Sequence, residues 1–151
     1  MTTLHQPNSQ AREHCLQFLY QCEMHKIFYF SLPHFQRFVE ENDLSFVVTE
    51  KVEGLATGVL AQQKPIDDLL RQHSTKWSLE RMPTMDRMVL RLATYELLAT
   101  TTPVRVVLNE AIELAKRYGT EHSSSFVNGV LDSIADKLKK HGKPTSQPPH
   151  T

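Results

Sequence analysis

Apolar residues recur every three or four positions along most of this chain, which is the spacing of an α-helix with one buried face. The clearest case lies in residues 103–140, where two such stripes are separated by a short polar loop. The stripes are Val107, Ala111, Leu114, Ala115 and Tyr118, and then Phe126, Val127, Val130, Leu131, Ile134, Ala135 and Leu138. The pattern predicts two consecutive helices that bury these residues in one core.

Residues with known helix-end preferences flank both predicted helices. Thr102 is expected to cap the first helix, with Pro103 at its first helical position, and Gly119 is expected to end it in the left-handed conformation. One of the three serines at 123–125 is expected to cap the second helix, and lysines at its far end suit the helix dipole.

Asn128-Gly129 is the one local signal that conflicts with this interpretation, because this dipeptide also favours a β-hairpin turn. The helical period continues for three turns after Gly129, which favours a helix. A glycine inside a helix costs about 1 kcal/mol relative to alanine. We therefore expect another backbone or a ligand to lie close to Gly129, with a merely neutral glycine as the alternative.

The first third of the chain predicts three helices. The first begins at a cap on Asn8 or Ser9 and buries a stripe from Ala11 through Cys15, Phe18 and Leu19 to Cys22. The second begins after Ser31 and buries Phe35, Phe38 and Val39. The third follows a polar break at residues 42–45 and buries Val48, Val52, Leu55, Ala56 and Val59. A strand at residues 27–30 is an alternative, but it has no partner.

A short helix is expected after Pro65, followed by a linker around Trp77 and Leu79. From Met85 to Leu98 the chain is apolar on most sides, which predicts a central, buried helix capped by Thr84. The sequence thus predicts an all-α bundle of six or seven helices. It is expected to form one domain over residues 1–140, with a loosely ordered arm at 1–10 and a disordered tail at 141–151.

Charge and composition limit the classes of function. Lys plus Arg and Asp plus Glu both number 17, so the formal charge is zero and no global basic field favours nucleic acid. Cys15 and Cys22 lie seven residues apart on one predicted helix, too far for a disulfide, and are expected to be reduced core thiols. No apolar run is long enough to span a membrane, so a cytoplasmic protein is expected.

Signatures of catalysis and of metal binding are absent from the sequence. It contains no glycine-rich phosphate loop, no nucleophile elbow and no HExxH motif. Cys22 and His25 could share a helix face, but two ligands do not make a zinc site. We therefore expect a protein that binds macromolecules, without cofactor or metal, rather than an enzyme.

Two features are typical of a binding surface. Arg87 and Arg91 lie four apart on the central helix, which suggests that one edge of it faces solvent or a partner. Phe126 opens a helix beside three serines, where an aromatic ring could stack on a base and free N–H groups could accept phosphate. Each also has a plain structural explanation: two surface arginines with carboxylate neighbours, and an apolar core residue.

Three sequence blocks resemble a known family. They are DRMVLRLATYELL, VVLNEAIELAKRYG and SFVNGVLD, in that order, and AREHCLQFLY near the start resembles the family's first helix. Together they resemble the NusB family of bacterial transcription antitermination factors. The resemblance implies two three-helix subdomains, and a function in which the protein pairs with the ribosomal protein NusE and binds boxA RNA of ribosomal RNA leader transcripts. It also implies that the protein acts in a complex with other Nus factors and RNA polymerase.

The residues and the resemblance together suggest two sets of site residues. The RNA-binding set is Arg12, Arg87, Arg91, Ser123, Ser125 and Phe126, and the NusE-binding set is Tyr20, Glu80 and Asp86. Asn109 and Asn128 belong to the family's motifs and are compatible with either a structural or a functional role. The fold also forms a domain of ribosomal RNA cytosine methyltransferases, but this chain is expected not to be that enzyme because it has no cofactor-binding domain.

Two departures from the family pattern predict weaker RNA binding. The arm before the first helix, arginine-rich in typical relatives, holds only Arg12. Ser125 stands where many relatives have a lysine. Each lost phosphate contact weakens binding and its salt dependence. The alternative function is therefore a NusB-like protein-interaction module with weakened RNA binding, in one version a homodimer.

Overall fold

In a computed structural model the described residues, 6–141, form seven α-helices and one short 3₁₀ turn, with no strand among them. The helices are α1 (Pro7–Met24), α2 (Leu32–Glu41), α3 (Phe46–Ala61), α4 (Gln63–His73), α5 (Thr84–Ala99), α6 (Val104–Tyr118) and α7 (Ser123–His141), and the 3₁₀ turn is Leu79–Arg81. The all-α prediction is confirmed. No helix in residues 6–141 is long and apolar enough to cross a membrane.

The chain divides into two compact units, with the boundary between Gln63 and Lys64. The first unit contains α1, α2 and α3. The second contains the 3₁₀ turn and four helices, α4 to α7, of which α4 begins at the boundary. The two-part organisation implied by the family resemblance is therefore present, with one short helix more in the second unit.

The core of the first unit is an aromatic cluster between α1 and α2. The ring of Phe18 lies 5.4 Å from that of Phe35 and 5.3 Å from that of Phe38, both in edge-on geometry. His34 lies 4.6 Å from Phe18 and its Nε2 is 3.1 Å from Oε1 of Gln21. Such edge-on pairs add to the stabilisation from apolar burial.

The core of the second unit surrounds α5. Eleven of the sixteen residues of this helix are buried, and α6 and α7 pack on it. The prediction of a central helix is therefore confirmed. The stripes of α6 and α7 point into the same core, because Val107, Ala115, Val127 and Leu131 are all buried.

One predicted helix start is confirmed and three are wrong. Ser31 caps α2 as predicted, since its Oγ accepts the N–H of His34. The start of α1 is wrong, because the helix already begins at Pro7; Asn8 and Ser9 therefore lie inside it, and residues 7–10 are helical rather than loose. Residues 1–5 and 142–151, which hold the rest of the predicted arm and nearly all of the predicted tail, lie outside the described residues.

The predicted caps Thr84 and Thr102 are also wrong. The extended residue before α5 is Pro83 and the one before α6 is Pro103, and neither helix has a side-chain cap. Proline holds φ near the helical value without a hydrogen bond. The N-cap position of each helix therefore falls on the proline, one residue before Thr84 in α5 and one residue after Thr102 in α6.

Neither glycine has the predicted role. Gly119 has φ −99° and ψ −163°, which is not left-handed. It is required for space, because a Cβ there would lie 2.5 Å from the Cβ of Ser123 and 2.7 Å from the carbonyl oxygen of Ala115. Gly129 is exposed, and a Cβ there would meet nothing within 4 Å among the described residues. The expected approach of another backbone is therefore wrong for the described residues, and the expected approach of a ligand stays a prediction beside the neutral glycine.

Both cysteines are free and buried in the first unit, as predicted. Burial raises the pKa of Cys22 to about 11, so its thiol stays protonated and unreactive near neutral pH.

Candidate nucleic-acid interface

The first turn of α7 is tied to α5 by a buried pair of polar residues. Ser123 Oγ accepts the backbone N–H of Thr120 at 2.9 Å, and the Ser123 hydroxyl also hydrogen-bonds the carboxylate of Asp86. Burial raises the pKa of Asp86, and the bond to Ser123 opposes that effect. Ser123 is 1 % exposed and Asp86 is 3 % exposed.

This burial contradicts two predicted site residues. Neither Ser123 as an RNA contact nor Asp86 as a NusE contact lies on the surface, because both side chains are buried inside the second unit. Their role is to fix where α7 begins relative to α5.

Phe126 stands in the first turn of α7, half-buried, beside Trp77. The two ring centroids are 6.5 Å apart and the ring planes make an angle of 74°, which is an edge-on pair. Trp77 lies in the segment between α4 and the 3₁₀ turn and keeps 38 % of its surface exposed. Phe126 is therefore neither a fully buried core residue nor an isolated surface ring.

Trp77 is part of this surface, although the sequence pattern predicts only a linker turn around it and indicates no partner for its ring. The available signal was its position as the only tryptophan of the chain, placed directly after Lys76 in a polar segment. Its pairing with a ring 49 positions later is a tertiary contact that local patterns do not encode.

Ser125 is exposed, as its predicted role requires. Its Oγ donates to the carbonyl oxygen of His122 at 3.2 Å within the first turn of α7. A hydroxyl that donates to a carbonyl keeps its own lone pairs as acceptors. The predicted RNA contact at Ser125 stays a prediction.

Arg91 is not the exposed cation that the sequence predicted. Its Nε lies 2.9 Å from Oδ1 of Asp67 and its Nη2 lies 3.0 Å from Oδ2, a two-pronged ion pair between α5 and α4. Arg91 is 6 % exposed and Asp67 is 7 % exposed. A helix that is buried nearly all round also buries its arginine, and Asp67 supplies the opposite charge.

Arg12 departs from its prediction in the same way. It is only 7 % exposed, within a helix that starts five residues earlier, so it is not a surface arm residue. The predicted phosphate contact at Arg12 is therefore not supported by its placement.

Arg87 lies half-buried on α5 and holds the 3₁₀ turn in place. Its Nη1 donates to the carbonyl oxygen of Leu79 at 3.1 Å and lies 3.5 Å from that of Met82. The RNA contact predicted for Arg87 stays a prediction, whereas its contacts with these two carbonyl oxygens hold the loop before α5 in shape.

The remaining partner residues belong to different units. Tyr20 is half-buried on α1 of the first unit. Glu80 is exposed in the 3₁₀ turn of the second unit, with Oε2 3.4 Å from Nη2 of Arg71. A hydrogen bond from its own backbone N–H and the bond from Arg71 lower the pKa of Glu80. Both stay predictions as partner contacts.

In residues 6–141, no group of three or more His, Cys, Asp or Glu side chains is placed so that it could hold a metal ion.

The comparisons with known proteins all point to the same family. A sequence model of the NusB family matches residues 9–136. A transcription antitermination protein NusB from Anaeromyxobacter sp. (strain Fw109-5) is 45 % identical over 140 residues, which cover 92 % of this chain and 96 % of that protein. The NusB of Thermodesulfovibrio yellowstonii is 37 % identical over 143 residues, covering 89 % and 95 %.

Solved structures give the same result for the fold. NusB from T. maritima superposes with a TM-score of 0.77 at 38 % identity, covering 95 % of this chain and 96 % of that one. A NusB solved with NusE and double-stranded RNA superposes with a TM-score of 0.76 at 27 % identity, covering 87 % and 98 %.

Proposed function

Because the chain belongs to the NusB family, we propose that it is a transcription antitermination factor that binds boxA RNA of ribosomal RNA leader transcripts together with NusE. The observation that carries this proposal is the match to NusB proteins over nearly the whole of both chains. The relative solved with NusE and RNA supports both kinds of partner. The protein acts by binding and not by catalysis, in the cytoplasm, where it joins other Nus factors and RNA polymerase.

The surface around Phe126 is the RNA site in this proposal. An aromatic ring at the start of a helix can stack on an unpaired base, and stacking of this kind tolerates different bases. Ser125 adds an exposed hydroxyl in the same turn. Arg12 and Arg91 are left out of the proposed site because both are buried.

The cations that remain at the surface set the strength of binding. With Arg12 and Arg91 buried, fewer charges are available to contact phosphates, and each contact contributes to both affinity and salt dependence. The protein alone therefore binds RNA weakly, and NusE supplies the additional contacts that make the complex tight.

The first experiment measures binding of fluorescently labelled boxA RNA by anisotropy, with and without NusE. Wild-type protein is expected to bind boxA better than a scrambled RNA of the same length, and more tightly when NusE is present. Phe126→Ala is expected to weaken binding about fivefold to a hundredfold, the usual range for one lost base stack. Tyr29→Ala, which removes an exposed ring in the first unit, is the matched control and should bind as wild type.

Two outcomes contradict the proposal in different ways. If neither the protein nor its mixture with NusE distinguishes boxA from scrambled RNA, the antitermination function fails. If NusE still binds in that case, the protein is an interaction module that has lost RNA affinity.

A second experiment tests Tyr20 and Glu80 as NusE contacts. Tyr20→Ala and Glu80→Gln are each expected to lower the affinity for NusE, measured by calorimetry, while RNA binding by the protein alone stays unchanged. Glu53→Gln, an exposed carboxylate on α3, is the control for the loss of one negative charge. NusE affinities equal to wild type in both variants would remove these two residues from the interface.

A further inference from the structure

Trp77 is placed in a way that packing alone does not explain. It is the only tryptophan of the chain, yet more than a third of its surface is exposed, and the ring contact found for it is the edge-on pair with Phe126. Buried tryptophans stabilise a core through large apolar area. One that is held at the surface beside another aromatic ring offers a flat face to a ligand.

The charges around Trp77 favour an anionic, planar ligand. Lys76 and Arg81 flank it in the chain and are both exposed, and neither forms an ion pair with a carboxylate in the part of the chain that the structure describes. The nearest carboxylate in sequence, Glu80, is paired with Arg71. Aromatic faces next to free cations are the combination that binds single-stranded nucleic acid.

The geometry of the ring pair determines how such a strand fits. Because the two planes are 74° apart, one base cannot stack on both rings at once. A base on Phe126 and a base on Trp77 must therefore belong to different nucleotides of the same strand.

The segment that carries Trp77 is held in shape before any ligand arrives. Ser74 Oγ donates to the carbonyl oxygen of Trp77 at 2.7 Å, and the N–H of Arg81 donates to the carbonyl oxygen of Ser78 at 3.0 Å. Arg87 anchors the following turn through the Leu79 carbonyl oxygen. A pre-shaped segment loses little conformational entropy on binding.

We propose that Trp77 is a second stacking residue of the RNA site, which takes an unpaired base adjacent to the one on Phe126, with Lys76 and Arg81 on the neighbouring phosphates. This inference rests on the proposed function, because it extends the same RNA site. It adds a residue and a segment, 76–81, that the family motifs around Phe126 do not include.

The single tryptophan makes a direct test practical. Single-stranded boxA RNA is titrated into the protein, alone and with NusE, while Trp77 emission is recorded. Trp77→Phe under the same conditions serves as the blank for any emission from NusE. Stacking of a base on the indole is expected to quench the emission along the same curve that the anisotropy of labelled RNA follows.

Variants separate stacking from packing. Trp77→Ala is expected to weaken RNA binding about fivefold to a hundredfold, and Trp77→Phe should recover most of that loss. Trp77→Leu keeps apolar contact with Phe126 without an aromatic face, and it is expected to bind RNA as weakly as Trp77→Ala. Circular dichroism and thermal unfolding check that each variant is folded.

The outcomes distinguish this inference from the proposed function. If labelled RNA binds but Trp77 emission does not change, or if Trp77→Leu binds as wild type, the inference is overturned while the RNA function stands. If RNA fails to bind wild-type protein with and without NusE, the proposed function falls and this inference falls with it.

Discussion

At the residue scale, the polar groups with the largest energetic effect are those that the fold removes from water. Arg91 and Asp67 are both nearly inaccessible, and their two hydrogen bonds at 2.9 and 3.0 Å satisfy each other. The attraction between two buried charges roughly offsets the cost of removing them from water. Loss of one partner leaves that cost without the attraction.

Arg91→Met is therefore expected to lower the free energy of unfolding by about 3–5 kcal/mol, because Asp67 stays buried and unpaired. Asp67→Leu should cost a similar amount. The double variant should be within about 1 kcal/mol of wild type or more stable. Urea unfolding of the four proteins measures these values, and additive losses in the double variant would show that the pair is not coupled.

The lowered pKa of His34 predicts how the stability of the protein depends on pH. Burial and the nearby Arg37 lower its pKa, and its Nδ1 has no hydrogen-bond partner among the described residues. Since the unfolded state takes up the proton first as the pH falls, the stabilisation is complete above about 6.5 and is lost as the pH drops toward the lowered pKa.

We expect the free energy of unfolding to change little between about pH 7 and 8 and to fall as the pH drops below about 6.5. His34→Phe keeps a ring against Phe18 and cannot titrate, so its profile should be shallower. His73, whose pKa burial also lowers, contributes to the same window, and adding His73→Gln should flatten the rest. An unchanged slope in both variants would assign the pH dependence to other groups.

At the scale of the elements, Gly119 and Gly129 form a natural comparison. Gly119 ends α6 where a Cβ would overlap the Ser123 side chain, whereas Gly129 lies in an open, exposed part of α7. The same substitution should therefore have opposite effects at the two positions.

Gly119→Ala is expected to destabilise the protein by about 1–3 kcal/mol, because the added methyl group forces the α6–α7 connection apart. Gly129→Ala is expected to stabilise it by up to about 1 kcal/mol, the helix propensity difference. Thermal and urea unfolding of both variants test this. A stable Gly119→Ala would mean that the loop adapts and that Ser123 does not fix the start of α7.

The helical period was sufficient to predict the elements but not their ends. The stripes of α5, α6 and α7 point inward as expected, because helical periodicity follows directly from burial of one face. Thr84 and Thr102 do not cap these helices because the adjacent prolines occupy the N-cap positions. Gly119 failed because the sequence indicates that a glycine is needed, but not whether for conformation or for space.

The site was less predictable than the fold because it depends on contacts between residues that are far apart in the sequence. Phe126 was identified from its position at a helix start, but its partner Trp77 is brought close by the tertiary packing of α7. Arg91 has the residue type, and the spacing from Arg87, that are expected of an exposed arginine at a binding surface. Its counter-ion, Asp67, lies 24 residues earlier on another helix, so its burial could not be deduced from the central helix alone.

At the scale of the whole molecule, the zero formal charge conceals an uneven distribution. Residues 6–63 hold four basic and seven acidic residues, whereas residues 64–141 hold twelve basic and ten acidic residues. The surplus of positive charge belongs to the unit that carries Phe126. RNA binding should therefore respond to salt through a few local contacts, since no global field supports it.

The salt dependence of RNA binding is expected to be shallow. Each phosphate contact with a single strand contributes a slope of about 0.7 in log affinity against log salt. Lys76→Gln and Arg81→Gln should each reduce the slope by about that amount. Lys51→Gln, an exposed cation in the first unit, should leave it unchanged. Slopes that fall equally in all three variants would point to general electrostatics instead of local contacts.

The buried pair of Asp67 and Arg91 also restricts how this sequence can change over generations. A substitution at either position passes through a protein with one uncompensated buried charge, which selection removes quickly if several kcal/mol are lost. Descendants of this chain should therefore either keep both residues or have replaced both. An observed lineage with only one of them would be expected to carry a second charge change in the same pocket.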